Sequence, residues 1–154
     1  IQRHAYRLKL PVPVHRIGMA YSVLLKKEHM KLIYEIPEGE VPLINGDPER
    51  LRQVFLNILD NAAKHGGSER ITASIHRESH DVVVQIRDFG PGIPEAELPH
   101  VKLKFYKGSS KARGSGIGLA VCDEIVTMHG GNLNIENADG GGVLVTIRLP
   151  IGDE

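Results

Sequence analysis

The sequence predicts an α/β sandwich: a mixed, mostly antiparallel sheet of five strands with about three helices packed on one of its faces. Three observations carry this expectation. Apolar residues recur with helical spacing in three segments. Five short β-prone segments alternate or run continuously apolar. The order is helix, strand, helix, strand, strand, loop, helix, strand, strand. A chain of 154 residues, 41% of them hydrophobic, can bury one sizeable core and does not call for a second.

Residues 1–13, IQRHAYRLKLPVP, contain prolines and no sustained period, so they read as a linker with little regular structure, leaving 14–154 as the domain. Val14, Ile17, Tyr21, Leu24 and Leu25 set a helical spacing over 14–30. The β-prone run KLIYEIP follows at 31–37, stopped by Pro37, and a polar, proline-containing turn comes after it. Asp47-Pro48 starts the second helix, because the carboxylate can accept orphan first-turn N–H groups and proline is tolerated at the first helical position. That helix should reach about Lys64 and end before Gly66-Gly67, burying Leu51, Val54, Phe55, Ile58 and Ala62. ITASIHR (71–77) and DVVVQIRD (81–88) form an antiparallel pair around Glu78-Ser79-His80. A glycine-, proline- and lysine-rich stretch spans 89–116. The last helix runs from about 116 to 129, ends at Gly130-Gly131, and precedes strands at 132–137 and 143–150.

Nineteen basic residues balance nineteen acidic ones, so no global field favours nucleic acid or an anionic membrane, and any phosphate site must be built locally. Cys122, the one cysteine, excludes an internal disulfide and sits in an apolar helical run as a small buried hydrophobe. No secretory pattern opens the chain and no apolar run approaches the roughly 20 residues of a spanning helix, so this segment is expected to be soluble. His4, His15, His29, His76, His80, His100 and His129 lack metal-ligand spacing and read as surface or capping residues.

Three clusters suggest chemistry. Asn57, Asn61 and Lys64 share a stripe beside the core face of the second helix, where carboxamides need partners or a cavity. Asparagine oxygens and a lysine suit a metal-bound polyphosphate; the helix alone also fits a solvated polar face. DFGPGI (88–93) ends a strand with Asp88, suited to accepting from an exocyclic amine, and then supplies Gly90 and Gly92; locally it is also an ordinary turn. GSGIGLA (114–120) opens a helix with bare backbone N–H groups at Gly114, Gly116 and Gly118, which suit phosphate oxygens. A dinucleotide fold is rejected, since a polar basic loop rather than a strand precedes these glycines and the spacing differs. Between them, KLKFYKGSSKAR (102–113) carries Lys102, Lys104, Lys107, Lys111 and Arg113 around Phe105-Tyr106. It can fold over a triphosphate or stand as a solvated loop.

Taken in order, NILDNAAKH, DFGPGI, KFYK, GSGIGLA and GGGVLVTIRLP resemble the asparagine box, first glycine box, phenylalanine box, second glycine box and terminal strand of sensor histidine kinases. These belong to the wider ATPase superfamily of gyrase B, MutL and Hsp90-type chaperones. The resemblance covers about 43–150 and implies a Bergerat-type fold that binds ATP with Mg²⁺. It makes Asn61 the Mg²⁺ ligand, with Asn57 and Lys64 near the phosphates, and gives Asp88 the adenine amine. Gly90, Gly92 and Ile93 would wall the base, while Tyr106 and Lys107 approach ribose and phosphates. Gly114, Gly116, Ile117, Gly118 and Leu119 would line the triphosphate and adenine, and Thr146 would reach the base from the sheet. His65 stands where the family often has tyrosine.

The resemblance further implies phosphoryl transfer to a histidine outside this chain, since no histidine here has the acceptor context. The implied partners are the protein's own dimerisation and phosphoacceptor helices, to which residues 1–13 would link, and the receiver domain of a response regulator; nucleic acid is not one. The full-length protein would be a homodimer, this segment a monomer and a cytoplasmic domain, in a family many of whose members are membrane-anchored. An anti-sigma-factor-type serine kinase or regulatory ATP-binding protein is the alternative.

Overall fold

The computed structural model describes residues 6–9, 31–35, 43–65, 70–102 and 118–152, with 6–9 and 31–35 described as strands only. Seven strands and two α-helices lie among the described residues: β1 (Tyr6–Lys9), β2 (Lys31–Glu35), β3 (Leu43–Gly46), α1 (Pro48–His65), β4 (Arg70–Glu78), β5 (Asp81–Asp88), α2 (Gly118–Met128), β6 (Asn132–Asn137) and β7 (Val143–Pro150). The expected helix over 14–30 lies outside the described residues. No helix among the described residues is long and apolar enough to cross a membrane.

The main sheet has the order β2-β4-β5-β7-β6. β2 runs parallel to β4, and the other neighbours are antiparallel. β1 and β3 form a separate antiparallel ribbon in which Tyr6 faces Gly46 and Lys9 faces Leu43. This corrects two expectations. Residues 6–9 are a strand rather than irregular linker, and the turn expected after Pro37 contains β3. Each is too short to show a period of its own; the ladder between them supplies the hydrogen bonds.

Strand alternation decides the faces. Ile71, Ala73 and Ile75 of β4 pair with Asp88, Ile86 and Val84 of β5, and Val84 and Ile86 pair with Ile147 and Val145 of β7. Leu133 and Ile135 of β6 complete the rows beside Ile147 and Val145. These apolar residues join one core with Leu51, Val54, Phe55, Ile58, Leu59 and Ala62 of α1 and Cys122, Ile125 and Val126 of α2. The stripe expected on α1 is therefore buried as read, as is Cys122.

Both helix ends expected from the sequence take the anticipated chemistry. Asp47 Oδ1 accepts the N–H groups of Glu49 at 3.0 Å and Arg50 at 3.4 Å at the start of α1. α2 ends as Gly130 turns left-handed (φ 79°) and Gly131 N–H donates to Val126 C=O at 3.0 Å.

Candidate nucleotide-binding site

Asp88 ends β5 on the same face as Val84 and Ile86, so strand alternation carries its carboxylate to the helix-covered side of the sheet. It is buried, at 6% exposure. Oδ1 accepts the N–H of Gly90 at 3.1 Å and of Val143 at 3.0 Å. Neither bond uses Oδ2. Burial pushes the carboxyl above its ordinary range, opposed by the two backbone hydrogen bonds and by the charge of Arg87.

The cavity beside Asp88 is lined from α1 by Ile58, Asn61 and Ala62, from the loop after β5 by Gly92 and Ile93, and from α2 by Leu119. Ile86, Ile135, Val143 and Val145 form its sheet wall. Among the described residues it is thus an apolar slot with two polar groups, a carboxylate and a carboxamide, which suits a flat heteroaromatic ring bearing an amine. At Gly118, the first residue of α2, an added Cβ would meet no described atom within 4 Å. Among the described residues nothing crowds Gly118 at the start of α2, a place that suits phosphate oxygens.

The residues expected at the site divide into three groups. Asn61, Asp88, Gly92, Ile93 and Leu119 share the cavity, with Gly90 bound to Asp88. Asn57 stands apart from it. It borders an open groove on α1 with Asp47, Glu49, Arg50, Arg52, Gln53 and Leu56, and its carboxamide approaches the Cys122 thiol. Tyr106, Lys107, Gly114, Gly116 and Ile117, with the side chains of Lys64 and His65, lie outside the described residues.

One expectation is corrected. Thr146 pairs with Gln85 and Asn134, so it lies one residue out of phase with Val145 and Ile147 and faces the sheet's other side, away from the cavity. Lys102, one of the cations that could fold over a triphosphate or stand solvated, donates to Asp123 Oδ1 at 3.3 Å and Leu133 C=O at 3.1 Å, anchoring its segment to α2 and β6.

Sequence reading missed the supports of the slot. Asn137 Oδ1 accepts Ile93 N–H and its Nδ2 donates to Ile93 C=O, both at 2.7 Å. Arg87 Nη2 donates to the carbonyls of Asp139 at 2.8 Å and Gly141 at 3.1 Å. Phe89, out of phase with Asp88, is stacked by the guanidinium groups of Arg70 at 4.0 Å and Arg87 at 4.4 Å. Gly142 has φ 87°, and a Cβ there would fall 2.0 Å from Asp88 C=O, so the β6–β7 turn approaches the strand end backbone to backbone. The three successive glycines 140–142 were the available signal for that approach.

The chain is similar to proteins named as histidine kinases. The chain is 47% identical over 107 residues to the signal transduction histidine-protein kinase AfsQ2 of Streptomyces coelicolor, covering 68% of this chain and 20% of that protein. It is 34% identical over 158 residues to the adaptive-response sensory kinase SasA of Crocosphaera subtropica, covering 98% of this chain and 40% of the relative. The chain thus spans less than half the length of either. Histidine kinase ThkA, solved in complex with response regulator protein TrrA, superposes with a TM-score of 0.81 at 21% identity, over 96% of this chain and 42% of that one, a likeness of fold. Residues 46–153 match the model of the histidine kinase-, DNA gyrase B- and HSP90-like ATPases, and the chain belongs to that family.

Proposed function

We propose that the chain binds Mg²⁺-ATP in the Asp88 cavity and presents the γ-phosphoryl group to a histidine on a separate dimerisation and phosphoacceptor segment, from which a response-regulator receiver domain takes it. The observation that carries this reading is the buried Asp88, which lines an apolar slot while its Oδ1 accepts two backbone N–H groups, in a chain of this ATPase family. Oδ2 accepts from the adenine amine, Ile93 and Leu119 cover the ring, and Gly92 lets the wall approach closely. Asn61 offers a neutral oxygen to the metal at the phosphate end of the slot, and Lys64, three residues on along α1, adds a positive charge. Asn57, one turn before Asn61 on α1, faces the α1 groove and the Cys122 thiol rather than the cavity. Tyr106, Lys107, Gly114, Gly116 and Ile117 keep the roles that the resemblance implies, and His65 stands in the place of the family's tyrosine, where an imidazole can stack or donate. Bound Mg²⁺ supplies charge neutralisation on phosphate oxygens, and the protein's share of catalysis is positioning. The relatives are named histidine kinases, which does not favour the serine-kinase alternative.

The test is a titration of ATP and GTP with and without Mg²⁺, followed by incubation of the chain with the phosphoacceptor segment of its parent protein and labelled ATP. ATP should bind in preference to GTP, Asn61→Ala should remove most of the Mg²⁺-dependent gain, and the labelled product should be acid-labile phosphohistidine. Equal binding of GTP would overturn the base assignment. An acid-stable phosphoserine product would overturn the kinase assignment.

A further inference from the structure

The first glycine loop is fastened to the β6–β7 hairpin at both ends, and the second fastening uses a residue outside every box. At one end, Asp88 Oδ1 takes Val143 N–H. At the other, Asn137 makes a paired contact with both backbone groups of Ile93, at 2.7 Å each. Asn137 closes β6 in phase with Leu133 and Ile135, opposite Val143, so the pleat that turns those two to the core also delivers its carboxamide to the cavity side. A carboxamide presents a donor and an acceptor with the spacing of a peptide group. It therefore gives Ile93 the partners a neighbouring strand would give, where a loop residue would otherwise rely on water. Gly92 belongs to the same device, since a Cβ there would stand 2.7 Å from Asn137 Oδ1 and its φ is 80°.

We propose that Asn137 is a positioning residue for base recognition, setting the distance between the Ile93 wall and the Asp88 carboxylate so that the slot is formed before a purine enters it. This rests on the reading of the slot as an adenine site. Asn137 does not touch the base; it acts through Ile93. A preformed wall spares the ligand the cost of ordering the loop, so loss of Asn137 weakens binding of the base and leaves the phosphate end unaffected.

Asn137→Ala and Asn137→Asp separate this role from a merely structural one. The aspartate retains an acceptor for Ile93 N–H and loses the donor to Ile93 C=O. Affinities for ATP and for Mg²⁺-tripolyphosphate are measured by calorimetry, alongside amide exchange at Ile93 and Val143. The expected result is about tenfold weaker ATP binding in Asn137→Ala, a smaller loss in Asn137→Asp and unchanged tripolyphosphate binding. Exchange should quicken at Ile93 and stay slow at Val143. Equal loss of ATP and tripolyphosphate binding, faster exchange at both amides, or unchanged ATP affinity would overturn the proposal. If wild-type protein shows no preference for ATP over tripolyphosphate, the adenine reading itself fails, a result distinct from any of these.

Discussion

His129 Nε2 accepts the backbone N–H of Asp47 at 2.9 Å, joining the end of α2 to the start of α1 across 82 residues of sequence. Since an amide N–H can only donate, this nitrogen carries no proton. Nδ1, 2.7 Å from Ile125 C=O, must then be the donor. The ring is held from both sides, and it leaves no room beside Gly46: a Cβ there would lie 2.5 Å from His129 Cδ2.

This makes Gly46 and His129 an energetically coupled pair. Gly46→Ala should destabilise the fold by about 1–3 kcal/mol through overpacking, and His129→Ala by about 1 kcal/mol through loss of the bond to a half-buried N–H. The double variant should cost clearly less than the sum, because His129→Ala opens the space that Gly46→Ala needs. Urea denaturation of the four proteins measures the cycle. Strict additivity would show that the ring does not restrict residue 46.

The pH dependence of Asp88 has a defined sign. Its folded-state pKa is raised above 3.8 by burial, so the proton is held more tightly in the folded chain than in the unfolded one. The stabilisation from that proton is fully present below the unfolded value and is lost as pH rises through the folded value. The stability of wild type relative to Asp88→Asn should therefore fall as pH is raised from the acid side, then level off toward neutrality. The other described residues lining the cavity do not ionise. Adenine binding should move the opposite way, since only the ionised carboxylate leaves Oδ2 an acceptor. Chemical denaturation and nucleotide titration of both proteins across the acid range test this, and parallel stability curves would refute it.

Thr146→Val should leave ATP affinity within about twofold of wild type. The side chain faces the sheet surface opposite the cavity, beside Gln85 and Asn134. A large loss of affinity with stability unchanged would return Thr146 to the site.

Cys122 should resist modification. Its Sγ sits 3.7 Å from Val54 C=O in the core, and burial pushes the thiol up to about 11. At pH 8 only about one molecule in a thousand then carries a thiolate. Labelling with iodoacetamide should be negligible in native buffer and should follow global unfolding in denaturant. Labelling of the folded protein at the rate of a free thiol would contradict the burial.

The core was legible because its elements are long enough to show their periods. The α1 stripe from Leu51 to Ala62 repeats over several turns, and β4, β5 and β7 alternate over eight or nine residues. β1 and β3 were not legible, since four residues cannot establish an alternation and their pairing partners lie far apart in sequence. The partner of Lys102 was not legible for a related reason: Asp123 comes from another element.

For the site, the sequence by itself determined the residue types: a carboxylate at a strand end, a carboxamide on a helix face, glycines where backbone must approach a ligand. Those follow from local spacing. Tertiary structure alone decided which of them meet. Register put Asp88 and Asn137 on the cavity side and Thr146 on the other, because one residue of phase reverses a strand's faces. It also supplied the contacts that no local pattern encodes, Asn137 with Ile93 and His129 with Asp47. Each joins segments that only the packing of helices on the sheet brings together.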